Sequence, residues 1–166
     1  MARVYLSLGS NIDREQHIGS ALELLTEAFG PLEQSSVYES EAVGFDSTAF
    51  YNLVVGFDTD EEPRAVQRVL RRIEAQNARV RTKRLSARTL DLDLLLYDDL
   101  IVDEEGLRLP RNDITRYAFV LGPLAEIAGE ERHPVTGERY ASMWSAFDEN
   151  DQNLTRIDWP PAEDPA

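Results

Sequence analysis

Apolar and polar residues alternate from Arg3 to Leu8, with Val4, Leu6 and Leu8 set against Tyr5 and Ser7. That two-residue period predicts a strand. Gly9-Ser10-Asn11 follows as a turn signal. From about Asp13 the period changes, and Ile18, Leu22, Leu25 and Phe29 recur at helical spacing as one apolar stripe. Gly30-Pro31 ends that helix. Leu32 to Ser40 and Phe50 to Asp58 read as the second and third strands, and the loop EAVGFDSTA between them is longer than a tight hairpin requires. Asp60 or a neighbour caps a second helix, with Pro63 in its first turn and Val66, Val69, Leu70 and Ile73 as its buried stripe. Asn77 to Ala87 keeps no period and is expected to be a loop.

The fourth strand is the unusual one. Its sequence, RTLDLDLLLYDD from Arg88 to Asp99, places Asp91 and Asp93 inside an apolar run. Residues i and i+2 of a strand share a face, so both carboxylates point one way while Leu90, Leu92, Leu94 and Leu96 point toward the helices. Beyond it, Leu100–Val102 and Leu107–Leu109 bracket an acidic turn as a small hairpin, and Asn112–Ala128 reads as short helical pieces broken near Gly122-Pro123. Strand, helix, strand, strand, helix, strand is the order of a ferredoxin-like split βαββαβ sandwich. The expected fold is therefore α+β, an antiparallel sheet with helices packed on one face. Residues 1–157 are expected to form one domain, and 158–166, proline-rich and acidic, a flexible tail.

Composition narrows the chemistry. The chain of 166 residues is 42% hydrophobic and has no cysteine, which removes disulfides and thiolate sites. Its N-terminus is unlike a signal peptide, and no apolar run approaches the roughly 20 residues of a membrane helix, so a cytoplasmic protein is expected. The net charge of −14 argues against nucleic acid or a membrane surface as partner. The charge is uneven, however. Arg64, Arg68, Arg71, Arg72, Arg79, Arg81, Lys83, Arg84 and Arg88 fall in one segment whose sole acid is Glu74. Such an island suits a small, highly charged anion, although a solvated helix face followed by a polar loop has the same composition.

Two carboxylates at i, i+2 spacing suit a hard divalent cation whose remaining positions go to waters and phosphates. The alternative is the solvent face of a half-exposed strand. Arginines beside such a pair make a coherent polyphosphate site, because guanidinium forks neutralise phosphoryl oxygens. Neither G-x-x-x-x-G-K-[ST], G-x-G-x-x-G nor G-x-S-x-G occurs. His17 is placed on the polar side of the first helix, as a surface residue, far in sequence from His133. Asn52 inside the apolar run FYNLVV is either a strand-edge amide or a contact for a planar heterocycle.

The blocks YLSLGSNI, SSVYESEAVG, FYNLVV, RRIEAQNARVR, ARTLDLDLLLY and LPRND with FVLGPLAEIAG resemble, in that order, the hydroxymethyl-dihydropterin pyrophosphokinases of folate biosynthesis. The resemblance runs from about Val4 to about Gly137. It implies a ferredoxin-like fold and transfer of pyrophosphate from ATP to the pterin hydroxymethyl group, with release of AMP. It also implies two Mg²⁺ ions between ATP and Asp91 and Asp93, with Arg79, Arg81 and Arg88 assisting catalysis. By the same resemblance Glu74, Arg79, Arg81, Arg84, Arg88, Arg111 and Arg116 fall on the ATP side. Ser40, Val43, Asn52, Leu85, Asp91 and Phe119 fall on the pterin side. Small molecules are the expected partners and a monomer the expected state.

The chain departs from the family pattern at several of these positions. Leu85-Ser86-Ala87-Arg88 stands where the family has W-x-P-R, Arg111 where it has His, and Tyr117 where it has Arg, with Arg116 beside it. Glu41-Ala42-Val43-Gly44 lacks the prolines of the family's pterin loop. These changes keep open two other readings: a paralogue acting on a modified pterin, and a non-catalytic module that binds nucleotide or pterin.

Overall fold

A computed structural model describes residues 1–40, 49–78, 90–147 and 154–160. The elements in order are β1 (Ala2–Ser10), α1 (Arg14–Phe29), β2 (Glu33–Gln34), β3 (Val37–Ser40), β4 (Phe50–Thr59), α2 (Pro63–Ala78) and β5 (Asp91–Tyr97). There follow β6 (Val102–Glu104), β7 (Leu107–Leu109), α3 (Asp113–Arg116), α4 (Ala118–Ala128), α5 (Tyr140–Ala146) and β8 (Leu154–Ile157). The main sheet runs β5-β1-β4-β3-β8, with β2 also on β4, and every pairing is antiparallel. Its first part is the ferredoxin-like α+β arrangement that the order of elements predicts.

The two long helices cover one face, as expected. Ile18, Leu22 and Leu25 of α1 and Val66, Leu70 and Ile73 of α2 pack on Val4, Leu6, Leu8, Leu53, Val55, Phe57, Leu92 and Leu94. Phe29 closes the stripe by stacking on Phe57 at 4.3 Å. The other face is not left wholly open: α4 and α5 pack on Tyr5, Val54, Leu95 and Leu96 through Val120, Leu121, Leu124 and Tyr140. The central strands are consequently buried on both faces.

Four local expectations change. A bulge on β5 pairs Leu6 with Leu94 but Tyr5 with Leu96, so Leu95 is an extra residue. Leu96 therefore joins Leu95 on the α4 side rather than following Leu90, Leu92 and Leu94. The break in the 112–128 region falls at Tyr117, which is extended, and α4 continues through Gly122-Pro123. Gly122 serves close packing instead, since a Cβ there would lie 3.0 Å from the Trp144 ring. Leu32–Ser40 is two short strands rather than one. At the C-terminal end, β8 extends the sheet on β3 and Trp159 packs against the core.

His17 is the fourth change. It is 1% exposed, and its Nδ1 lies 2.7 Å from Asn77 Oδ1. Asn77 is helical, not the first loop residue, and its Nδ2 donates to Ile73 O at 3.0 Å. The buried face of α1 includes His17 and Ala21 beside Ile18, Leu22 and Leu25, so it is broader than the apolar stripe alone. A polar residue can occupy such a face when a buried partner accepts its proton. Asn77→Ala removes that partner and is expected to cost about 1–3 kcal/mol of folding stability, measured by urea denaturation.

Candidate active site

Strand register builds the site across three strands. Asp91 is paired with Gly9, and Gly9 with Asn52, so the three occupy one row across β5, β1 and β4. Neighbouring strands lie about 4.8 Å apart. Because Leu92 and Leu94 point to α1 and α2, Asp91 and Asp93 point to the α4 side, both half-buried. Asn52 lies between Leu53 and Tyr51 on the same side as Val54, which packs under α4. Gly9 forms the floor between the acid and the amide. A Cβ there would meet Asn52 Oδ1 at 3.2 Å and the Phe50 ring at 3.7 Å.

Asn52 is oriented by Ser40: its Nδ2 donates to Ser40 Oγ at 2.7 Å, and both residues are buried. That bond leaves the amide oxygen directed along the row. Above it, α4 is held to the sheet by Glu126, which accepts from Ser36 N at 3.0 Å, Ser36 Oγ at 2.7 Å and Tyr38 Oη at 2.8 Å. Burial and the Glu126 carboxylate push the Tyr38 phenol up to about 12, so it remains a donor at neutral pH. Docked in this way, α4 brings half-buried Phe119 to the Asn52 face. The exposed Tyr117 ring stacks on it, with centroids 4.9 Å apart and planes at 22°.

Electrostatics at the acid pair are strained. Burial raises the Asp93 carboxyl above its ordinary value, the Asp91 charge adds to this, and Arg111 pulls the other way. Arg111 Nη2 lies 3.4 Å from Asp93 Oδ1, and its Nε lies 3.4 Å from Asp113 Oδ2. Glu74 is likewise raised, first by burial, with the Leu92 amide and Arg71 opposing and Asp91 and Asp93 adding to the shift. Two hard oxygen donors that repel one another fit a divalent cation, which would remove that repulsion. Among the described residues no grouping of three or more His, Cys, Asp or Glu side chains forms a closed metal cage. An open pair leaves coordination positions for water or phosphate.

Beside the pair lies a cavity of about 590 Å³ between α2 and the β6–β7 hairpin. Gln67, Arg71, Arg108 and Arg111 line it together with the acids Asp103, Glu104 and Glu105. Arg111 thus reaches both the cavity and Asp93. Arg116 is exposed on α3 and is not part of this wall. Glu74 turns its carboxylate to Leu92 and Arg71. Arg79, Arg81, Arg84, Arg88, Leu85 and Val43 lie outside the described residues. Sequence reasoning met Gly9 only as part of a turn, Arg71 only within the basic island and Tyr117 only as a departure from the family pattern, and gave none of them a place in the site. Of these, Arg71 had a local signal in its i, i+3 spacing to Glu74.

Within this α+β fold, Arg111 joins the cavity wall to the acid pair, and a guanidinium so placed can fork onto an anionic phosphate. Residues 5–129 match the pattern of 7,8-dihydro-6-hydroxymethylpterin-pyrophosphokinase (HPPK), and the chain belongs to that family. It is 39% identical over 132 residues to the 2-amino-4-hydroxy-6-hydroxymethyldihydropteridine pyrophosphokinase of Methylorubrum extorquens, covering 77% of this chain and 84% of that one. The Haemophilus influenzae protein of the same name is 35% identical over 134 residues, with 78% and 84% covered. The folic acid synthesis protein fol1 of Pneumocystis carinii is 36% identical over 151 residues, but the chain spans only 20% of its length. Among solved structures, wild-type Plasmodium falciparum HPPK-DHPS superposes with a TM-score of 0.68 at 16% identity, covering 87% of this chain and 44% of that one, a likeness of fold.

Proposed function

We propose that the chain transfers pyrophosphate from ATP to 6-hydroxymethyl-7,8-dihydropterin, yielding the pterin diphosphate and AMP in folate biosynthesis. The observation that carries this reading is the row Asp91–Gly9–Asn52, which sets an oriented amide and an acid on one face of the sheet with only a glycine between them. In this reading the flat pterin lies over Gly9. Asn52 presents its amide oxygen to the pterin's N–H groups, while Phe119 and Tyr117 supply aromatic faces. Ser40 fixes the amide. The 590 Å³ cavity receives ATP, with Arg111 toward the phosphates.

The hydroxymethyl oxygen bonds to the β-phosphorus, the bond from that phosphorus to the α-phosphate oxygen breaks, AMP leaves and the hydroxyl proton is released. Asp91 and Asp93 would hold Mg²⁺, which supplies charge neutralisation on the phosphates and acidifies the attacking hydroxyl. The protein's own part is alignment. The sheet fixes the acceptor end, and the α2–hairpin cavity fixes the donor end, so a two-substrate encounter becomes a positioned one. Arg111, on the cavity wall and 3.4 Å from Asp93 Oδ1, would fork onto phosphate. Arg79, Arg81, Arg84 and Arg88 complete the anion site. In the same reading the chain acts in the cytoplasm as a monomer. No described helix is long and apolar enough to cross a membrane.

The test is product analysis by mass after incubation with ATP, Mg²⁺ and hydroxymethyl-dihydropterin. AMP with pterin diphosphate is expected. ADP would assign a different phosphotransfer, and folded protein without either product would sink the proposal.

A further inference from the structure

In the sheet order β5 is an end strand, and the outward backbone groups of its Leu92 find partners in a helix rather than in another strand. The Leu92 N–H donates to Glu74 Oε2 at 2.8 Å, and the Leu92 carbonyl accepts from Arg71 Nη2 at 3.0 Å. The two side chains are themselves paired, Arg71 Nη1 to Glu74 Oε1 at 2.6 Å, one turn apart on α2. One acceptor and one donor, locked together, replace what a neighbouring strand would offer. Leu92 is meanwhile held on its side-chain side, fully buried against α1 and α2.

The position of this contact gives it a consequence for the site. Leu92 N–H belongs to the peptide joined to Asp91, and Leu92 C=O to the peptide joined to Asp93. Planar peptides leave only φ and ψ free. Holding both planes therefore sets the spacing and direction of the two carboxylates. We propose that Arg71 and Glu74 are positioning residues for pyrophosphoryl transfer, clamping the Leu92 peptides so that Asp91 and Asp93 keep one geometry. Arg71 also lines the 590 Å³ cavity, so the same guanidinium ties the cavity wall to the acid pair. The inference rests on the pyrophosphokinase reading for what the aspartates do, while the clamp is readable without turnover.

The experiment compares the full chain with Glu74→Ala, Glu74→Gln and Arg71→Met, using amide hydrogen exchange, thermal melting and steady-state kinetics. In Glu74→Ala the Leu92 amide is expected to exchange about 10–100-fold faster, with Leu53 and Val55 amides unchanged. Its kcat is expected to fall about 10–100-fold, with KM for ATP and for pterin nearly constant. Glu74→Gln keeps an acceptor oxygen and is expected to restore most of both. If Glu74→Ala does not fold, Arg71→Met, which leaves the Leu92 carbonyl unpaired, takes its place with the same kcat readout. Wild-type exchange at Leu92, an unchanged kcat, or a loss confined to KM for ATP overturns the clamp. A wild-type chain without turnover instead overturns the pyrophosphokinase reading, and with it the clamp's purpose.

Discussion

Asp93→Asn is expected to lower pyrophosphoryl transfer by at least about 10²–10³-fold while raising the melting temperature at neutral pH. The activity loss follows from removing one of two charges aimed at the phosphate-handling side, in a partly buried setting where electrostatic terms are large. The stability gain follows from the sign of the Asp93 shift. Burial, with Asp91 next to it, raises its carboxyl above the ordinary value in spite of Arg111. The folded chain therefore holds that proton more tightly than the unfolded chain. Its charged form is a cost that appears as pH rises through the raised value and is fully present at neutrality. Asn carries no such cost, and Arg111 keeps Asp113 as a partner. The melting difference between variant and wild type should shrink as pH falls into the ordinary carboxylate range. Melting curves across pH and a product assay check both halves; retained turnover would remove the acid pair from the reaction.

Leu92→Ala, one residue away, is expected to do the opposite. Leu92 is fully buried among Leu6, Leu8, Leu70 and Ile73 in the cluster under α1 and α2. Truncation removes buried methyl groups and leaves a void that a well-packed layer closes only in part, at about 2–5 kcal/mol. Against a total of roughly 5–15 kcal/mol, that is a large fraction. The substituted residue keeps its N–H and C=O, so the bonds to Glu74 and Arg71 can persist. Urea denaturation should show the loss, while turnover per folded molecule should fall far less than in Asp93→Asn. A stability change below about 1 kcal/mol would contradict the packing of this face.

These two neighbours show why so much of the fold was readable from the chain. Periodicity reports which side of an element is buried, and the stripes of α1 and α2 and the alternation of β1, β4 and β5 as far as Leu94 all mark residues that face the helix-side core. Legibility failed where burial is shared or supplied from a distance. Leu95 and Leu96 look like a continuation of the alternation, but the bulge against Tyr5 and Leu6 turns Leu96 to the other side. His17 looks like a surface residue because its partner, Asn77, lies sixty positions away. Gly122-Pro123 looks like a break because the Trp144 ring that fills the glycine's place is remote in sequence. The strand LTRI at 154–157 has too short a pattern to declare itself before β3 offers an edge.

The site divides along the same line. The placing of Asp91 and Asp93 together is legible because local spacing carries it: two acids at i, i+2 share a face whatever surrounds the strand. Their setting is a matter of registers. Only β5-β1-β4 pairing brings Asp91, Gly9 and Asn52 into one row, Glu126 together with the packing of Val120, Leu121 and Leu124 brings α4 and Phe119 over that face, and only α2 alongside an open strand edge lets Arg71 and Glu74 hold Leu92. Side-chain chemistry is local and travels with the letters of the chain. Distances between strands and helices arise from burial summed over the whole molecule, and no stretch of sequence contains them.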